Sequence, residues 1–167
     1  DVDDAVPADS RATRHLTLGR TDPSRGQRPC IGARALTPRW IRTTEGEVSS
    51  SPAIGGNGII YIGSKDAKVH ALRAATGAFV WEFAATGSVP GGPAIGADGT
   101  VYVGTTDNCV HALDGATGES KWTFYPSGLG IYSSPAIGAD GTVYIGGTDG
   151  YVYALDGATG GQRWRHG

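Results

Sequence analysis

The chain has 167 residues, a hydrophobic fraction of 39%, 28 glycines and a formal net charge of −2. The length fits one domain, and the charge supplies no basic patch of the kind a nucleic-acid surface needs. No run of 18 or more apolar residues occurs, which excludes a membrane-spanning helix.

Residues 1–38 carry six Arg and five Asp, no aromatic residue and no periodicity. They are expected to form a flexible or extended N-terminal segment. Cys30 lies in this segment and Cys109 far from it. Two distant cysteines lack metal-ligand spacing, and they are either separate thiols or a pair.

From Arg39 onward the signal is β. Residues 39–44, with Trp40, read as a single strand. Three similar segments follow, at about 49–84, 90–125 and 132–166. Each opens on Pro-Ala-Ile-Gly, at Pro52–Gly55, Pro93–Gly96 and Pro135–Gly138. Each continues through Tyr61-Ile62-Gly63, Tyr102-Val103-Gly104 or Tyr144-Ile145-Gly146, then through Ala71-Leu72, Ala112-Leu113 or Ala154-Leu155, to a tryptophan. Trp40, Trp81, Trp122 and Trp164 are spaced by 41, 41 and 42 residues. A period of this size marks a solenoid, a propeller or an array.

Within each copy, Asn57-Gly58, Asp98-Gly99 and Asp140-Gly141 lie between apolar runs and predict type I′ hairpins. Each copy therefore reads as a four-stranded antiparallel meander. Its strands are apolar on both faces, and radial stacking of such sheets into a β-propeller covers both.

The pattern Ser-Pro-Ala-Ile-Gly-Ala-Asp-Gly-Thr-Val-Tyr-Ile-Gly, followed by Tyr-Ala-Leu-Asp-Gly-Ala-Thr-Gly and Trp, resembles the PQQ-like (pyrroloquinoline-quinone-type) propeller repeat. That family includes quinoprotein alcohol dehydrogenases and the outer-membrane assembly factor BamB. The resemblance covers residues 39–167. It implies blade-docking roles for Trp40, Trp81, Trp122 and Trp164, for Ala71, Ala112 and Ala154, and for Gly77, Gly118 and Gly160. It also weakly favours an extracytoplasmic location, periplasmic or secreted.

Three blades and one strand do not close a ring, because propellers use four to eight blades. Strand 39–44 would belong to another blade. Either the chain is part of a longer propeller or several copies assemble one ring, so partners are expected to be further blades or other proteins. An isolated monomer would expose apolar sheet faces.

Candidate chemistry is sparse. His70 and His111 share one repeat position, but adjacent sheets lie about 10 Å apart, so the two do not converge on one ion. Asp98, Asp114, Asp140 and Asp156 occupy turns, where their carboxylates bond their own backbone. No calcium loop series occurs. The dehydrogenases of the family use an adjacent cysteine pair, an acidic calcium site and a stacked Trp. Here every Trp falls at a docking position, so neither PQQ nor calcium is expected.

The copies differ in the turns at 65–68, 106–109 and 148–150 and in the inter-blade connections. The connection after the second blade carries Tyr125, Leu129, Ile131 and Tyr132, the candidate partner-binding residues. Loops on a rigid scaffold carry function, and rigid aromatic side chains suit recognition. The sequence thus points to a non-enzymatic scaffold for protein interaction or ligand recognition. The alternative is an N-terminal fragment of a PQQ-dependent dehydrogenase.

Overall fold

The computed structural model describes residues 39–128 and 130–167. The expectations for residues 1–38, for Cys30 and its pairing, and for Leu129 lie outside the described residues.

Three four-stranded antiparallel sheets follow one another along the chain. The first contains β1 (Ala53–Ile54), β2 (Ile59–Gly63), β3 (Lys68–Arg73) and β4 (Phe79–Ala84). The second contains β5 (Ala94–Ile95), β6 (Val101–Thr105), β7 (Cys109–Leu113) and β8 (Ser120–Phe124). The third contains β9 (Ala136–Ile137), β10 (Thr142–Gly146), β11 (Val152–Asp156) and β12 (Gln162–His166). Spatial order equals chain order in each sheet, so each is a meander. The short strands β1, β5 and β9 contact one another in sequence, which makes them the inner strands of adjacent blades. The three sheets form an open all-β propeller segment, and no helix occurs among the described residues.

The middle blade is apolar on both faces, as its position requires. All five residues of β6 and all five of β7 are buried. The core lies between blades. Tyr61, Val69, Trp81 and Val89 of the first blade and its connection pack with Val101, Val103 and Leu113 of the second. Tyr102, Val110 and Ile131 pack with Val143, Tyr153 and Leu155 of the third.

Residues 39–44 pair with no strand among the described residues. One sequence expectation requires correction. The Asx-Gly hairpins are not type I′, since φ is positive at Gly58, Gly99 and Gly141 but not at Asn57, Asp98 or Asp140. The amide of Gly99 donates to Gly96 O at 2.9 Å, and that of Gly96 donates to Thr100 O at 2.8 Å. This is a three-residue loop, a type I turn closed by a left-handed glycine. The Asx side chain explains the choice, because Asp98 Oδ1 accepts from the Thr100 amide at 3.0 Å. Asp140 Oδ1 does the same for Thr142 at 3.1 Å.

Each outer pair carries a bulge. Ala71 pairs with Trp81 but Leu72 with Phe79. The shift recurs at Ala112/Leu113 and Ala154/Leu155. The extra residue is re-aimed by the bulge. In the third blade it is Arg163, whose guanidinium reaches Asp140 and Asp156, each at 2.9 Å. Arg163, with backbone amides of the turn, holds the Asp156 carboxyl down to about 2. Asp98 and Asp140 are also lowered, chiefly by the hydroxyls of Thr100 and Thr142.

These carboxylates titrate lower in the folded chain than in the unfolded one. Their stabilisation is complete above the ordinary carboxylate value of about 4 and is lost as pH falls toward about 2. Thermal unfolding followed by circular dichroism is expected to show a midpoint that drops through this window. Asp140→Asn with Asp156→Asn should flatten that drop.

Candidate functional site

The contact between blades is built from one indole and one turn. Trp81 Nε1 donates to Gly115 O of the next blade at 3.0 Å. Trp122 Nε1 donates to Gly157 O at 2.9 Å. The Tyr61 and Tyr102 hydroxyls donate to the same two carbonyls at 2.9 and 3.0 Å. Gly118 and Gly160 lie flat under these indoles with φ of +78° and +74°, and a Cβ at either would fall 2.7 Å from the ring. Ala71, Ala112 and Ala154 are fully buried and stand opposite Trp81, Trp122 and Trp164 across the strands.

Trp40 occupies the same kind of seat on the first blade without belonging to a sheet. Its Nε1 donates to Ala74 O at 3.0 Å, and its ring covers Gly77. Residues 40–48 then run along that blade and leave a groove of about 370 Å³, lined by Trp40, Arg42, Val48, Ile62, Leu72 and Phe79 among others. At the opposite edge Trp164 has no turn to receive it among the described residues and is 47% exposed, against 7% for Trp81. Tyr151 and Val152 are exposed on the same blade.

The two ends of the segment differ. The near-constant turns share one end, where Ala74 N bonds Gly58 O and Gly157 N bonds Gly141 O. The variable turns and the inter-blade connections share the other. There Val89 N bonds Ser64 O, Thr106 N bonds Ser88 O, Ile131 N bonds Thr105 O and Thr148 N bonds Gly130 O. Each connection is thus tied to the turn of the blade it leaves and to that of the blade it enters.

The candidate binding residues separate on this end. Tyr125 is 70% exposed and Tyr132 58% exposed. Ile131 is fully buried, which corrects its assignment as a partner-binding residue. It fills the space above Gly104, as Val89 does above Gly63, so it fastens the connection to the core. Arg165 contacts Tyr151, its guanidinium 4.8 Å from the ring centre.

His70 and His111 do not meet on one ion. His70 Nε2 pairs with Asp66 Oδ2 at 3.1 Å, whereas His111 Nδ1 lies 3.1 Å from Thr123 Oγ1. One grouping was missed in the sequence. Asp107, Cys109 and His111 each place a ligand atom within 4.8 Å of the others. The available signal was alternation, since residues two apart on a strand share a face, rather than any familiar cysteine spacing.

The family profile described as outer membrane protein assembly factor BamB matches residues 31–167, and the chain belongs to this family of PQQ-like propellers. No curated protein sequence matches significantly. Among solved structures, BamB from Moraxella catarrhalis superposes with a TM-score of 0.65 at 30% identity, over 75% of this chain and 38% of that one. The quinohemoprotein alcohol dehydrogenase of Comamonas testosteroni gives a TM-score of 0.63 at 29% identity, over 72% of this chain and 21% of that one. The enzyme ADHIIG of Pseudomonas putida HK5 gives 0.65 at 26%, over 74% and 21%. The chain therefore spans well under half the length of each.

The unequal seats of the tryptophans predict unequal costs of removal. Trp122→Ala should destabilise the chain by about 3–5 kcal/mol, because it empties a filled seat and removes one of the two donors to the Gly157 carbonyl. Trp164→Ala should cost below about 1 kcal/mol. Gly118→Ala should cost about 3 kcal/mol, from left-handed strain plus the clash with Trp81. Urea unfolding of the three variants checks the order.

Proposed function

We propose that the chain is a non-enzymatic propeller segment that holds a protein partner at the end carrying the variable turns and connections. The carrying observation is the 125–132 connection. The described residues beside both tyrosines are held, Ile131 by its amide donating to Thr105 O and Pro126 by Asn108 Nδ2 donating to its carbonyl, yet Tyr125 and Tyr132 stand exposed. Aromatic side chains on a fixed backbone lose little entropy on binding. The apolar edge with Trp164, Tyr151 and Val152 is a different surface. Its shape and the unseated Trp164 indole suit a further blade of the same repeat, and this chain spans 38% of the BamB length.

We read this segment as holding no quinone of its own. Trp40, Trp81 and Trp122 are each engaged by the next turn, and the neighbours of Cys109 are Asn108 and Val110. Among the described residues that leaves Trp164 as the one indole without a receiving turn, and Cys109 has no cysteine next to it. An extracytoplasmic location follows the family description, which names an outer-membrane assembly factor. The dehydrogenase reading draws on the likeness of fold to the two alcohol dehydrogenases.

The test is photocrosslinking in the native host from a probe amino acid at position 125 or 132, with a probe at Thr76 on the opposite end as control. Position-specific adducts at 125 and 132, abolished by substitution of the neighbouring tyrosine with Ala, are expected. Equal labelling from all three positions would count against the reading. So would PQQ-dependent alcohol oxidation by the protein purified from that host.

A further inference from the structure

We propose that Asp107, Cys109 and His111 form a zinc-type metal site in the middle blade. Cys109 and His111 alternate on β7, so their side chains share one face of the sheet, and Asp107 comes from the turn just before it. Their ligand atoms lie within 4.8 Å of one another. A tetrahedral zinc ion with Zn–S of about 2.3 Å and Zn–N or Zn–O of about 2.0–2.2 Å needs ligand atoms roughly 3.3–3.8 Å apart. Closure by about 1 Å lies within the reach of side-chain rotation.

The independent observation is His111 itself. The residue is 9% exposed, and its Nε2 is buried with no hydrogen-bond partner among the described residues. A buried imidazole nitrogen without a partner is costly. Its other nitrogen, Nδ1, is already turned to Thr123 Oγ1 at 3.1 Å. A metal-bound histidine shows this arrangement, one nitrogen on the ion and the other N–H donating to an orienting oxygen. The Phe83 ring, 5.1 Å from the imidazole, walls the site on another side.

The other two blades show how the same positions are satisfied without an ion. In the first blade His70 Nε2 pairs directly with Asp66 at 3.1 Å, and Lys68 stands where the cysteine is. In the third blade the Tyr153 hydroxyl donates to Asp149, and Tyr151 takes the cysteine's position. In the middle blade the Asp107 carboxylate is instead held by the hydroxyls of Thr105 and Thr86, which leaves the histidine without its carboxylate. Cys109 Sγ makes only a long contact, 3.7 Å to Asp107 O. A thiolate, an imidazole and a carboxylate on one ion favour zinc and disfavour calcium or magnesium, which take oxygen ligands. The fourth position is left for water or a partner's side chain.

The experiment uses the full chain carrying Cys30→Ser, reduced with a thiol-free reductant and titrated with Co²⁺ and then Zn²⁺. A thiolate-to-cobalt charge-transfer band that saturates at one equivalent and is bleached by zinc is expected. Cys109→Ser should abolish the band, and His111→Phe should weaken binding at least about tenfold, while His70→Phe leaves it unchanged. Circular dichroism shows whether each variant remains folded, and a second variant, His111→Tyr, copies the residue the third blade uses. No band with folded protein would overturn the site, as would unchanged affinity in both folded His111 variants.

Discussion

Everything in this structure depends on one contact: an indole N–H given to a turn carbonyl of the next blade. A four-stranded meander that is apolar on both faces cannot hold itself in water, and the turn carbonyl at Gly115 or Gly157 would be a buried acceptor without a donor. The Trp81 and Trp122 indoles resolve both problems at once, since the ring covers apolar area and the N–H satisfies the carbonyl. The second donor, from Tyr61 or Tyr102, uses the other lone pair of the same oxygen. The glycine beneath the ring is required twice over, for its positive φ and for the absence of a Cβ. This explains why Gly118 and Gly160 recur together with the tryptophans and why the period is set so rigidly near 41 residues.

The same contact explains the asymmetry of the chain's two edges. The first blade is offered an indole by Trp40, although residues 39–44 lie in no sheet. Docking therefore does not need a completed fourth strand, only the ring and its N–H. The third blade offers Trp164 outward and has nothing to give it to among the described residues. A propeller grows by this rule, in which each blade supplies a donor on one side and an acceptor turn on the other.

Much of this was legible in the sequence because it is repeated. Three copies of Pro-Ala-Ile-Gly and four spaced tryptophans define the blades and their strands without reference to any coordinate. What stayed hidden depends on side chains acting outside the period. The Asp-Gly pairs point to type I′ hairpins by backbone preference, but Asp98 and Asp140 bond the amide two residues on, and that local bond selects a type I turn with a single left-handed glycine. Ile131 reads as a loop residue beside two tyrosines, yet its depth is set by Gly104 on a neighbouring strand, a contact that no local pattern encodes. Residues 39–44 have strand-like composition and still pair with no strand among the described residues.

The middle blade shows why departures from the repeat carry more information than the repeat itself. The turn aspartate and the residue four positions on are placed by the same backbone in all three copies, so each blade faces the same electrostatic question of what satisfies the carboxylate and the ring beside it. The first answers with an aspartate–histidine pair, and the third with a tyrosine hydroxyl on aspartate. The second gives its aspartate to two threonines, one of them on the connection arriving from the first blade, and leaves a buried imidazole nitrogen without a partner among the described residues. The proposed metal ion would resolve that arrangement without rebuilding the blade. Its position, beside the connections and on the end with the exposed tyrosines, ties the chemistry of the middle blade to the surface where the copies diverge.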